Sequence, residues 1–501
     1  MRRVLGQLGV SLIVAAVAFG SAPEVAGAGP AAPTVSGPVP GSPSLVFTSF
    51  DLAPFGYVQE EFFFGGEATA YTPETPLTED GRWTVTPAST APFTTRMVVV
   101  RPEDPKDFDG TVYVEWFNVS AGYDNAPNWT QVHLELLRQG AAWVGVSAQA
   151  VGVQGGQTVT GDTAAGGLKG GDPQRYGSLS HPGDSYSYDI FTQAARVVRG
   201  EGSAKVLGPL TAKRVIATGQ SQAAIRLVTY IDAVQPRSEA FDGFLIHSRY
   251  GGAGAPLSQT PLAAVPAPSP TWIRADLGVP VMVFQTETDT GLLGAAAARQ
   301  PDTKWLRTWE AAGTAHADVY TTLGFGDTGD GSAEVALLDY TKPSPGPLGC
   351  ATPINAGPRY AVLMAAVRHL DEWVRRGTLP PKGTPLAVTP GPGRTLSGQT
   401  VPNFVVTRDE RGVALGGIRT PHVDAPRAAL TGELNAGGQF CSLFGTTVPF
   451  DAATIDARYP SRDAFVAEFR RAAKRAVKGG FLLPEEAKKM LDAVTQVPYG
   501  A

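Results

Sequence analysis

Arg214-Val215-Ile216-Ala217-Thr218-Gly219-Gln220-Ser221-Gln222-Ala223-Ala224-Ile225 opens as an apolar run rich in β-branched residues, turns over Gly219 to Ala223, and continues to Val234 with apolar residues at helical spacing. Strand, sharp turn and helix in this order suit a nucleophile elbow. There a serine at the tip stands clear of both elements, and the helix N-terminus faces the reacting oxygen. Gly219 fits the first small position. Ala223 stands where a second Gly is usual, keeping the small volume but giving up tolerance of positive φ. The plain alternative is a strand-to-helix turn that happens to hold a serine.

The flanking sequence alternates strands and helices. Thr111 to Phe117 and Ala141 to Ser147 read as strands around a helix from about Asn128 to Arg138, which Gly140 ends. A helix over Ser187 to Arg199 precedes the elbow strand. Gly243 to His247, Pro280 to Thr286 and Trp305 to Glu310 supply further strands, and Arg359 to Arg376 is an amphipathic helix. Such βαβ spacing predicts a mainly parallel sheet flanked by helices. Before it, Leu45 to Phe50, Tyr57 to Phe64 and Thr95 to Arg101 read as strands. After it comes a Gly/Pro-rich stretch with a strand-like run at Phe404 to Thr407, then helices over Arg462 to Lys478 and Pro484 to Val494. The expected organisation is residues 45–380 as the main domain and 381–501 as a C-terminal extension docked on it. The long Gly-rich connection Val151 to Tyr186 reads as a lid-like loop.

Residues 1–28 read as a signal peptide: Arg2 and Arg3 are basic, Val4 to Phe19 apolar, and Ala26-Gly27-Ala28 a small-residue cleavage site. The apolar stretch is short for a membrane span, so no span is expected after cleavage. Residues 29–44 form a flexible lead-in, and the mature chain is expected to be secreted. Net charge is −5, becoming −6 once Arg2, Arg3 and Glu24 leave. Without Lys/Arg runs, that charge offers no footprint for nucleic acid. The two cysteines, Cys350 and Cys441, lie in the exported part and are expected to form one disulfide closing a loop of about ninety residues, worth roughly 4 kcal/mol. Separately buried thiols are the alternative.

A serine hydroxyl needs a base within reach and a carboxylate to orient that base. On sheets of this kind the partners follow in the order Ser, acid, His. The strand Pro280 to Thr286 runs into Glu287-Thr288-Asp289; Asp289 is the preferred acid and Glu287 its substitute. The next strand ends in Ala311-Ala312-Gly313-Thr314-Ala315-His316-Ala317-Asp318, which places His316 as base. Among the six histidines, His181 is the rival, but it precedes the serine and reverses the order. For the oxyanion hole one donor is expected from the backbone of Gln222 and the other from Asn118 or Val119, although Asn118 also fits a turn-shaping role. No H-E-x-x-H run or clustered His/Cys set is present, so no metal or organic cofactor is implied. Arg299 reads as an ion-pair partner of Asp302 or a surface residue, with contact to a substrate carboxylate as the alternative, and Trp272, Trp305 and Trp309 as core, with a pocket lining as the alternative.

Taken together, Glu115-Trp116-Phe117-Asn118-Val119-Ser120, Arg175 to Asp184, Tyr186-Ser187-Tyr188-Asp189-Ile190-Phe191, Gly219-Gln220-Ser221-Gln222, Thr286-Glu287-Thr288-Asp289 and Gly313 to Asp318 resemble the bacterial "alpha/beta hydrolase domain" proteins over about residues 45–475. The resemblance implies the α/β-hydrolase fold and a serine hydrolase with Ser221, Asp289 or Glu287, and His316 as triad. It implies little about substrate. Tyr176, His181 and Tyr186 are expected on a pocket wall or lid, against the alternative of an ordered loop. The expected activity is cleavage of small or polymeric carboxylic esters through an acyl-enzyme. Amide cleavage, acyl transfer and a non-catalytic binding role are the competing readings, and oligomeric state is open.

Overall fold

In the computed structural model the described residues are 32–157, 163–164, 166–346, 349–396, 399–438 and 440–499. The expected signal peptide and the first residues of the lead-in lie outside them. Hydrophobic β-branched runs form one nine-stranded sheet among the described residues. Its strands are β1 (Thr34–Ser36), β2 (Tyr57–Pro73), β3 (Val85–Pro102), β4 (Thr111–Trp116), β5 (Ala142–Val146), β6 (Arg214–Gln220), β7 (Gly243–His247), β8 (Val281–Thr286) and β9 (Leu306–Ala311). Their order is β1-β2-β3-β5-β4-β6-β7-β8-β9.

From β5 to β9 every neighbouring pair is parallel, and β1, β2 and β3 add an antiparallel edge. The parallel strands are buried along almost their whole length, as expected for a sheet covered on both faces. Helices α1 (Pro127–Gln139), α2 (Ser187–Val198), α3 (Gln222–Thr229) and α4 (Arg359–Arg376) cover it. Side chains at alternating strand positions divide into two hydrophobic clusters. One holds Tyr113, Ile216, Met282 and helix α4; the other holds Val112, Val215, Val283 and helix α2. This is an α/β-hydrolase fold.

The segment after residue 380 joins the first cluster. Helices α5 (Arg462–Lys478) and α6 (Pro484–Ala493) contribute Phe465, Phe469 and Met490 to the core that holds Trp309 and Leu363. Cys350 and Cys441 form a disulfide that ties this segment to the loop before α4. No described helix is long and apolar enough to cross a membrane.

Four expectations are corrected. The described part of the expected flexible lead-in is anchored rather than free, since Thr34 to Ser36 pairs with Phe63 to Gly65 as β1. Leu45 to Phe50 is not a strand: only Val46 makes an isolated bridge, to Asn125. Phe47 instead stacks on Trp129 at 5.0 Å, so the apolar positions report burial rather than pairing. Arg299, in the loop before β9, pairs with Glu310 on β9 at 2.6 Å, while Asp302 pairs with Arg307. Trp309 is core, but Trp272 is exposed.

Candidate active site

Ser221 sits between β6 and α3 with φ 59° and ψ −117°. A non-glycine residue held there carries backbone strain of about 1–3 kcal/mol, which persists only where its surroundings over-determine it. Two of those surroundings are visible. The Ser221 amide donates to the His247 carbonyl of the neighbouring strand at 2.9 Å. The chain also doubles back so tightly that a Cβ on Gly219 would stand 3.1 Å from that of Ala223. Ala223 itself lies within α3, so that position requires small volume but not positive φ. The strain falls on the serine.

The elbow is braced from behind. Gln222 Nε2 donates to Gln149 Oε1 at 2.7 Å, Gln149 Nε2 donates to Asp184 Oδ2, and Arg226 Nη2 donates to the same carboxylate at 2.9 Å. Burial pushes the Asp184 carboxyl up, but Arg226, His181 and the surrounding donors outweigh it and hold it below the usual range.

His316 follows β9 on a loop turned by Gly313. Its Nδ1 lies 2.5 Å from Asp289 Oδ1, and both side chains are buried. Asp289 is oriented by a reciprocal helix cap: its Oδ2 accepts from Thr286 N at 2.7 Å and from Thr286 Oγ1 at 2.8 Å. Burial raises the Asp289 carboxyl, and the imidazole with the hydrogen bonds reverses this to a net lowering. An ionised Asp289 requires Nδ1 to carry the imidazole proton, which leaves the Nε2 lone pair for the cavity.

Glu287, the substitute acid, does not reach His316. It accepts from Gly313 N at 2.6 Å, Gly432 N at 2.9 Å and Arg408 Nη2 at 2.7 Å, so it ties the histidine loop to the C-terminal segment.

Ser221, Gln220 and His316 line a cavity of about 430 Å³. Phe325 and Leu293 form part of its wall, and Phe440, Leu443 and Phe444 come from the segment on either side of Cys441. Arg359 also reaches the cavity, but its Nε lies 3.0 Å from Asp318 Oδ2 and its Nη1 donates to the His316 carbonyl. That guanidinium therefore secures the histidine loop with its charge already matched. Neither Arg359 nor Asp318 was assigned a role from sequence; the Asp two residues after the histidine was the available signal.

For the oxyanion donors, Gln222 is the first residue of α3, so its amide is one of the groups a helix leaves unpaired. The Asn118 amide is consumed by the Asn125 carbonyl at 3.0 Å, which removes it as a donor. Its side chain shapes the turn, with Oδ1 accepting from Ser120 N, and reaches the Gln220 carbonyl through Nδ2 at 3.0 Å. Val119 keeps an amide that no described backbone carbonyl accepts.

Tyr176, His181 and Tyr186 do not line the cavity, which corrects the pocket-wall expectation. The Tyr176 hydroxyl lies in a buried cluster of Glu61, Arg96 and Arg175. His181 Nε2 meets the Ala148 carbonyl and its Nδ1 accepts from Gly183 N. The Tyr186 hydroxyl meets Ser89 Oγ. Their side chains are buried in the scaffold beside Asp184, the hub behind the elbow. Of the other histidines, His133, His247 and His369 are bonded within the scaffold.

Comparison with solved structures gives partial similarities at low identity. Esterase Est22 is 13% identical, with 51% of this chain and 72% of that chain covered and a TM-score of 0.26. The carboxylesterase Cest-2923 from Lactobacillus plantarum WCFS1 is 11% identical, with 44% and 72% covered and a TM-score of 0.23. Acetyl xylan esterase 1 from Thermoanaerobacterium sp. JW/SL YS485 is 14% identical, with 44% and 53% covered and a TM-score of 0.23. No curated protein sequence matches. The model of the family described as "Alpha/beta hydrolase domain" matches residues 29–492, nearly the whole chain, and the protein therefore belongs to that alpha/beta hydrolase family.

Proposed function

We propose that this hydrolase is an exported serine esterase that cleaves uncharged carboxylic esters through an acyl-enzyme. The observation that carries the reading is the cavity shared by a strained serine and a histidine whose far nitrogen is held by a buried, ionised Asp289. Ser221 Oγ attacks the acyl carbonyl as His316 Nε2 takes its proton. Asp289 holds the imidazole in the required tautomer and stabilises the imidazolium that forms. The amides of Gln222 and Val119 receive the developing oxyanion. His316 returns the proton to the leaving alcohol, and water repeats the sequence to release the acid. The aromatic and aliphatic wall, with Arg359 already paired, favours neutral apolar substrates over anionic ones. The signal-like N-terminus and the disulfide support export.

A chain-length series of p-nitrophenyl esters, assayed with wild type, Ser221→Ala and His316→Ala, tests this. A loss of about a thousandfold or more in both variants with the fold retained is the expected result. Equal inactivity of all three on esters but turnover of matching amides would redirect the reading to amide cleavage.

A further inference from the structure

Among the described residues Ser221 Oγ makes no hydrogen bond to His316. The partner of His316 Nε2 is Gln220, whose Nε2 lies 3.2 Å away. Gln220 is the residue immediately before the nucleophile, is buried, and lines the same cavity.

The direction of this contact follows from its neighbours. Asp289 accepts the hydrogen bond from Nδ1–H, so His316 Nε2 presents a lone pair and needs a donor. Of the two ends of the Gln220 amide only the NH2 can donate. The oxygen end faces Asn118 Nδ2, 3.5 Å from Gln220 Oε1 and 3.0 Å from the Gln220 main-chain oxygen. Asn118 thus fixes which way the amide points, and the amide occupies the lone pair that Ser221 must use.

The geometry points to Gln220 as a positioning residue that caps the base: in the resting site its side-chain N–H donates to His316 Nε2 and competes with the Ser221 hydroxyl for that lone pair. This rests on the reading of His316 as the general base. A donor on Nε2 stabilises the neutral imidazole and opposes its protonation, because a proton there would set N–H against N–H. The cap must yield when the serine proton is transferred.

The other charged or titratable groups facing His316 are Asp289 at Nδ1, Arg359 at its carbonyl, Asp318 behind Arg359, and His247 under the elbow. None is altered by changing Gln220, so a shift in its variants belongs to the amide.

The test is an NMR titration of His316 in the full chain labelled with 15N-histidine, in wild type, Gln220→Ala and Gln220→Glu, with His316→Ala assigning the signal. In Gln220→Ala, water from the cavity replaces the fixed donor and can accept from a protonated ring. The His316 midpoint is then expected to move to higher pH. In Gln220→Glu the carboxylate accepts from the protonated ring, and the move is expected to reach about one pH unit or more. The acid limb of kcat/KM for a short p-nitrophenyl ester should move with the midpoint. Coincident midpoints in all three proteins, a downward move, or a tenfold lower plateau with an unmoved limb would overturn the proposal and reduce Gln220 to packing. The midpoints read out whether or not the protein turns over esters, so failure of the esterase reading and failure of this inference are separable.

Discussion

His316 Nδ1 and Asp289 Oδ1 stand 2.5 Å apart, while Glu287, two residues earlier, is committed to Gly313, Gly432 and Arg408. The two carboxylates therefore predict opposite phenotypes. Asp289→Asn should lower kcat by about ten-thousandfold by presenting the wrong tautomer, with little loss of stability. Glu287→Gln should retain most of the activity of the folded protein but lose about 1–3 kcal/mol of stability, because Arg408 then keeps only the exposed Glu433 as its carboxylate partner. Steady-state kinetics beside denaturant unfolding of both variants checks this.

Asp184 ties Gln149, Arg226 and Gln259 into one buried knot behind the elbow. Asp184→Asn strands the Arg226 charge and should destabilise the fold by about 3–5 kcal/mol at neutral pH. The sign with pH is defined: the carboxyl is held below its ordinary value in the folded protein. Its stabilisation is present above the unfolded value of about 3.9 and is lost as pH falls through the lower folded value. The gap between wild type and variant should therefore narrow on acidification, as followed by thermal unfolding at stepped pH.

The candidate triad positions could be picked out in the sequence because each follows its strand by a short turn. Ser221, Asp289 and His316 follow β6, β8 and β9 in the order such a sheet demands. Helices α4 and α5 match their expected bounds because their apolar periodicity is long and their capping glycines are clear. What failed depended on partners distant in sequence. A Tyr, His and Gly-rich loop looks the same whether it faces a cavity or buries its polar groups. Glu61 and Arg96, which claim Tyr176, are some 80 to 115 residues away from it. Arg299 was matched to the nearest acid in sequence, whereas the sheet brings Glu310 beside it. Gln220 lay in the elbow motif from the start, but only the fold shows its amide against His316.

Phe440, Leu443 and Phe444 wall the cavity on either side of Cys441, and the bridge to Cys350 closes 91 residues of chain. Reduction, or Cys441→Ser, should cost about 4 kcal/mol of stability. It should also loosen this wall, so that the ratio of rates for short and long p-nitrophenyl esters flattens while the shortest ester is still cleaved. Chain-length profiles with and without reductant measure it.

A narrower wall test uses Phe444→Ala. Truncating this buried ring should enlarge the cavity and raise kcat/KM for longer acyl chains relative to acetate. An unchanged profile would place the acyl group elsewhere in the cavity.

Reaction of the purified protein with an alkyl fluorophosphonate, read by intact mass and peptide mapping, decides whether Ser221 is the nucleophile. One adduct is expected, on Ser221, absent from Ser221→Ala and strongly slowed in His316→Ala. An adduct on another residue, or none on a folded protein, would contradict it.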